Sequence, residues 1–338
     1  MRTLCGVLIA LGTIAGCEDP AAAPLTRAVS HSPGDVVIAI QQNRHAPVST
    51  GLVRIGTDWQ SVSLPARRLV PYCSSARRGS TLLFGRMDGK VCCVDDVAHN
   101  PRVRELQVKV SGPIVFMQLV HEDWIIVGHS EIVFGHFSQS SNEMTERGRR
   151  RIDSFLWLNG KAELIHAAHN EPLNTLVMCF SNGAVVTVEG LLTNTHATEP
   201  EPKVRMLGDI AAIGTIGDTT YLLTVEGSCV SFGLNERGDP EFTALWNNTM
   251  RCGHKSFLLS NRSWAVETNN GQSKEIHIIV NHKYRLLMEG DAIRLLGHGG
   301  DSETVLVGLD KKMAIQRIAI EDGRVLESVD LSKYGFSD

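Results

Sequence analysis

Eight cysteines and thirteen histidines are the side chains of this sequence most able to hold a metal or attack a substrate. Cys5 and Cys17 fall within the first twenty residues, which leaves Cys73, Cys92, Cys93, Cys179, Cys229 and Cys252 for the body of the chain. No two of these stand in C-x2-C spacing, so no zinc pattern is present. Cys179 and Cys229 lie inside apolar runs, where a cysteine acts as a small buried hydrophobe. Cys92 and Cys93 are neighbours in an extended run that sends their side chains to opposite faces. His166 and His169 stand three apart and His129 and His136 flank one hairpin, spacings that separate side chains on a strand. The segment His121-Glu122-Asp123-Trp124 lacks the second histidine of H-E-x-x-H. From these patterns we expect no catalytic residue, no metal and no cofactor.

The densest basic cluster is Arg147-Gly148-Arg149-Arg150-Arg151, directly behind the polar stretch Ser138 to Glu146. Its composition predicts a solvated loop between two repeats. Arg147, Arg149, Arg150 and Arg151 are the candidate interaction residues. They suit anionic lipid or an acidic partner surface if other basic loops share their face.

The elements that must position these residues are strands. After residue 33 the sequence repeats one pattern, an apolar or β-branched run, a turn, and a second alternating run. The leading runs begin at Val36, Thr81, Trp124, Thr175, Thr220, Trp264 and Thr304, in steps of 45, 43, 51, 45, 44 and 40. Asp88-Gly89 and Asn182-Gly183, with Glu226-Gly227 in the same place, predict tight primed hairpin turns with positive φ at both central residues. Ile114 to Met117 and Ile210 to Ile213 supply candidate innermost strands, and residues 324–331 a last outer strand. A hairpin-only repeat of this length indicates a β-propeller blade of four strands. The fold class expected is all-β, a single β-propeller of seven blades over residues 33–338, with six or eight blades left open. No G-x-G-x-x-G, Walker loop or nucleophile elbow occurs. The five tryptophans fall mostly in strand patterns and are expected to pack the core.

Composition narrows the function. The 338 residues are 43% hydrophobic and 21% charged, which excludes a globally disordered chain. With 33 basic against 37 acidic residues, there is no electrostatic reason to expect nucleic-acid binding. No apolar run after residue 17 approaches the ~20 residues of a membrane-spanning helix.

Arg2 precedes an apolar run from Leu4 to Gly16 that ends at Cys17, followed by Glu18-Asp19-Pro20. The run is too short to span a bilayer and right for an export signal. Ile14-Ala15-Gly16-Cys17 resembles a bacterial lipobox, in which the cysteine becomes a lipid-modified N-terminus. That resemblance implies a signal over 1–17, a tether over 18–32, and a lipid anchor at Cys17 in the cell envelope, with Glu18 favouring the outer membrane. Simple secretion, or an N-terminal element buried in a cytosolic protein, are the alternatives. Six strand cysteines sit awkwardly with an oxidising compartment.

Residues 210–240 resemble a repeat of the regulator-of-chromosome-condensation family, and 251–259 the start of the next. The last repeat, with Gly297-His298, is similar to a WD-type or quinoprotein-type blade without its tryptophan. Pyrroloquinoline-quinone dehydrogenases stack their cofactor on a disulfide between adjacent cysteines, but this chain lacks their tryptophan-bearing repeats, so Cys92-Cys93 reads as packing. The expected function is a monomeric, non-catalytic, membrane-tethered scaffold offering propeller faces to protein partners. A propeller enzyme with an axial site, or a cytosolic exchange-factor-like propeller, is the alternative.

Overall fold

In the computed structural model the described residues are 27–30, 36–41, 48–55, 58–65, 72–78 and 81–336, the last with short gaps of which the longest are 153–161 and 193–201. Side chains are described over 59–63 and, with the same gaps, from Thr81 onward. Cys17, Trp157 and the stretch 193–201 lie outside the described residues. Of the tether expected over 18–32, only residues 27–30 are described, and they form a strand.

Strands follow one another from the inside of each sheet to its outer edge, always antiparallel. The first sheet holds β1 (Arg27–Ser30), β2 (Val36–Gln41), β3 (Val48–Ile55) and β4 (Asp58–Pro65). The second holds β5 (Tyr72–Arg78), β6 (Thr81–Arg86), β7 (Lys90–Asp95) and β8 (Arg102–Lys109). Next come β9 (Ile114–Val120), β10 (Asp123–Gly128), β11 (Glu131–Ser138) and β12 (Glu143–Arg151). The fourth is β13 (Leu164–Asn170), β14 (Thr175–Phe180), β15 (Ala184–Glu189) and β16 (Lys203–Met206). The fifth is β17 (Ile210–Ile216), β18 (Thr219–Thr224), β19 (Cys229–Leu234) and β20 (Pro240–Trp246). The sixth is β21 (Ser256–Ser260), β22 (Ser263–Asn269), β23 (Lys274–Val280) and β24 (Lys283–Gly290). The last is β25 (Ile293–His298), β26 (Thr304–Leu309), β27 (Ala314–Ala319) and β28 (Val325–Asp330).

Seven equivalent blades were expected, and that expectation is corrected. The described core is continuous through six blades of four antiparallel strands, β5–β8 to β25–β28, and not through seven. Apolar clusters fill each of their five interfaces, from Leu83, Val91 and Trp124 at the first to Ile278, Leu295 and Val305 at the last. The sheet β1–β4 is paired along its backbone, but among described side chains it joins the core only through Trp59 and Val62. Its sequence is also the poorest copy of the repeat, with no glycine between β2 and β3 to set a tight turn.

Burial explains which segments read clearly as strands. The second strand of each core blade is covered by neighbouring blades on both faces, so β14 is buried at every residue and β6, β10 and β18 nearly so. Outer strands face solvent, and β12 and β16 have no buried residue. Trp124 and Trp264 occupy the same place in β10 and β22 and are fully buried, each worth roughly 2–3 kcal/mol of apolar transfer.

The hairpin dipeptides mark the right places with a different geometry. Gly89, Gly183 and Gly227 adopt positive φ, while Asp88, Asn182 and Glu226 do not. Each glycine N–H donates back three residues, Gly89 to Arg86 O at 3.1 Å and Gly183 to Phe180 O at 2.9 Å. The turns are therefore centred one residue earlier, with glycine closing them in the left-handed region. Asn182 Oδ1 accepts from Ala184 N at 3.1 Å, so the side chain supplies part of the turn.

Among the described strands no blade is shared between early and late segments of the chain. β1 packs beside β25, and Trp59 Nε1 of β4 donates to Glu327 Oε1 of β28 at 2.6 Å. Leu331 and Phe336, at and after the 3-10 turn Leu331–Tyr334, pack with Val329 in the cluster that Trp59 joins.

Candidate interaction surface

The arginine cluster is not a loop. It lies on β12, the outer strand of its blade, paired with β11 so that Glu131 faces Arg151, Ile132 faces Arg150 and Val133 faces Arg149. An edge strand bordered by solvent needs no apolar alternation, which is why its sequence reads as loop. Two glycines allow the local packing. A Cβ at Gly135 would meet Thr145 O at 2.0 Å and the Trp124 ring at 2.5 Å, and one at Gly148 would meet the Phe134 ring at 2.5 Å. The Phe134 ring thus lies across β12, with the Arg150 guanidinium 5.9 Å from its centroid.

Arg149 is a structural tie between blades. Its Nη1 donates to Glu131 Oε1 at 2.7 Å, and its Nε and Nη2 grip Glu146 at 3.1 and 2.9 Å. The same Nη2 donates to Lys109 O at 3.1 Å, on the end of β8 in the preceding blade. Glu131 also accepts from Ser111 N at 2.5 Å, in the link between β8 and β9. Burial would push the Glu131 carboxyl up, but these hydrogen bonds and the guanidinium charge hold it below the usual carboxylate range. Arg149 is held above its ordinary value, first by its bonds to Glu146. Arg147 donates to Asp123 Oδ1 at 3.0 Å.

The side chains singled out for chemistry are largely committed to the interior. Cys92, Cys93, Cys179, Cys229 and Cys252 are buried. Burial, then a hydrogen bond to Asp95, pushes Cys93 up to about 12, and burial likewise raises Cys252 to about 12. Such thiols are poor nucleophiles near neutral pH. His169, 2% exposed at the end of β13, is lowered to about 4 by burial, against a hydrogen bond with Asn174 that raises it. Beside it, Asn170 Nδ2 donates to Asp218 O at 2.7 Å, tying β13 to the following blade. No group of three potential metal ligands occurs among the described residues. Sequence reasoning passed over Glu131 and Asn170 and gave Trp59 a packing role without its bond to Glu327, because these roles depend on partners distant in the chain.

Two surfaces remain available to partners. One is the outer strands, where Val204 and Met206 of β16, Tyr284 and Leu286 of β24, and Val325 and Leu326 of β28 are exposed. Met206 and Tyr284 keep 58% and 56% of their surface in solvent, high for side chains of this size. The other is the pair of rims. Four strands per blade bring the chain in and out on one rim, here the entry rim, which also carries the turns between second and third strands. The described turns and links of the opposite rim hold nine carboxylates and two arginines, counted over residues such as Asp96, Glu171, Asp218 and Glu303. Those of the entry rim hold five carboxylates and four Lys or Arg residues, counted through the C-terminal turn.

No described protein family and no curated protein matches the sequence. Solved structures do match in shape. The Cps50 (Swd1) β-propeller domain of Myceliophteria thermophila superposes with a TM-score of 0.57 at 12% identity, covering 89% of this chain and 95% of that one. A protein from Lactobacillus plantarum gives 0.55 at 9% identity over 84% and 92%, and the computationally designed Ika8 protein 0.51 at 11% over 91% and 87%. At these identities the likeness shows the β-propeller fold alone.

Proposed function

We propose that this β-propeller is a non-catalytic interaction scaffold tethered to a bacterial envelope membrane through lipid at Cys17. The observation that carries the scaffold reading is the set of exposed apolar side chains on rigid outer strands, Met206, Tyr284 and Leu286 above all. The buried cysteines and His169 serve packing instead, with Cys93 and His169 shifted away from reactive forms. The tether reading is supported by the apolar run ending Ile14-Ala15-Gly16-Cys17. Fractionation with lipid labelling of the full-length chain, beside Cys17→Ser, tests it. Label and membrane association that both depend on Cys17 support the tether. A soluble, unlabelled protein that retains Met1 refutes it.

One observation favours a second reading. Cys93 and Cys179 are buried thiols outside any disulfide, as suits a reducing compartment and a cytosolic propeller. The same fractionation separates the two.

A further inference from the structure

We infer that the entry rim is a docking surface for an anionic phospholipid bilayer, leaving the acidic opposite rim facing away from the membrane. In its cellular setting the inference rests on the anchor proposed at Cys17. Three features of the molecule carry it.

The first is where the chain leaves the fold. Every blade is built from consecutive strands, so β1, an innermost strand, starts on the entry rim at Arg27. Arg27 lies ten residues on from Cys17. Fully extended this stretch reaches at most about 35 Å, about the diameter of a small domain. A lipid at Cys17 therefore keeps the entry rim close to the bilayer.

The second is charge. The opposite rim, with its nine carboxylates against two arginines, is repelled by an anionic surface. The entry rim is near balance in its turns, and at the strand ends that reach it cations outnumber the carboxylates Glu131, Glu275, Glu289 and Asp330. Lys109 ends β8, Arg150 and Arg151 end β12, and Arg205 lies in the last two residues of β16. Lys312 and Lys333, two of the four basic residues of its turns, are exposed. Arg150 and Arg151 of the arginine cluster thus share their face with basic groups from other blades, while Arg147 turns to Asp123 at the other end of the blade.

The third is how this charge is held. Arg149 is tied to Glu131 and Glu146, which fixes β12 with its end at the rim. The attraction is consequently spread around the rim, and a polybasic surface of this kind adds to a lipid chain that alone binds reversibly.

The test uses the full-length chain carrying Cys17→Ser, so that no lipid is attached, with flotation on vesicles of phosphatidylcholine mixed with phosphatidylglycerol against phosphatidylcholine alone. The apolar N-terminal run is common to all variants and cancels in their ratios. One triple, Lys109→Gln, Arg205→Gln and Lys312→Gln, discharges the entry rim. A matched triple, Arg237→Gln, Lys283→Gln and Arg324→Gln, discharges the opposite rim. Melting midpoints establish that both fold. At about fivefold per cation near an anionic surface, the entry-rim triple lowers partition roughly a hundredfold, and the matched triple changes it less than about twofold. Absence of a preference for the anionic vesicles, or equal losses in the two triples, overturns the inference. If Cys17 labelling fails while the entry-rim triple still governs partition, the anchor is wrong and the surface assignment stands. If labelling succeeds and partition ignores the rims, the rim inference alone falls.

Discussion

Removing the guanidinium of Arg149 places a known load on a buried carboxylate. The Glu131 side chain is 9% exposed, and Arg149 and the Ser111 N–H are its partners at 2.7 and 2.5 Å. In Arg149→Ala the charge stays behind with the Ser111 bond alone. A hydrogen bond to a charged group contributes about 1.5–3 kcal/mol when sheltered. Arg149 is 39% exposed, so solvent screens part of this, and the Arg149–Glu131 coupling works out at about 1–2 kcal/mol. Its bonds to Glu146 are exposed and contribute little. Urea unfolding of the wild type, Arg149→Ala, Glu131→Gln and the double variant isolates the coupling, because glutamine keeps an acceptor for Ser111 while losing the charge. The pH dependence has a definite sign. The folded carboxyl is depressed, so its contribution is complete above the ordinary value of about 4.3 and disappears as pH falls through the lower folded value. Coupling is expected intact from pH 7 to pH 5. Additivity within about 0.3 kcal/mol, or coupling that vanishes between pH 7 and pH 5, refutes the reasoning.

Three other outcomes are expected. Gly135→Ala forces a methyl against Thr145 O and the Trp124 ring, and should cost about 1–3 kcal/mol in urea unfolding; a neutral result means β12 can slide away from β11. His169 has a folded value of about 4 against about 6.5 unfolded, so the unfolded chain binds its proton first and stability drops as pH falls from about 6.5 toward 4. The loss reaches up to about 3 kcal/mol, and His169→Leu should flatten the stability curve across that window; an unchanged slope assigns the titration to another group. Trp59→Phe keeps most of the ring contact but loses the bond to Glu327, and should lower stability by about 1–2 kcal/mol while speeding hydrogen exchange in β28 relative to β14; equal exchange in the two strands contradicts that role.

What the sequence made legible follows from where solvent lies. The second strands of the blades, such as residues 175–180, are walled in on both faces and read as unbroken apolar runs. The innermost strands β9 and β17, though only partly buried, are legible from the apolar runs at their starts, whereas β13, with two histidines and an asparagine, is not. Residues 143–151 carry almost no apolar side chain because β12 has solvent beside it, and periodicity has nothing to register there. The Arg149–Glu131 pair spans a hairpin with a bulge between Phe134 and Gly135, so its partners follow only from the register. The rim charges are invisible for a related reason. Residues as far apart as Asp96 and Glu303 become neighbours in charge only once every blade runs in the same direction.

The seam between β1 and β25 bears on how the chain acquires this shape. Nearly every pairing joins segments within one repeat, and blade-to-blade packing joins adjacent repeats, so these contacts close short loops. Trp59 and Glu327, 268 residues apart, belong to the junction that, among the described residues, joins the first sheet to the last. The entropy of closing so long a loop grows only slowly with its length, and it falls on one step after the blades already exist. Folding should therefore proceed by accretion of blades with low contact order, and circularisation of the string should be the slowest and last event.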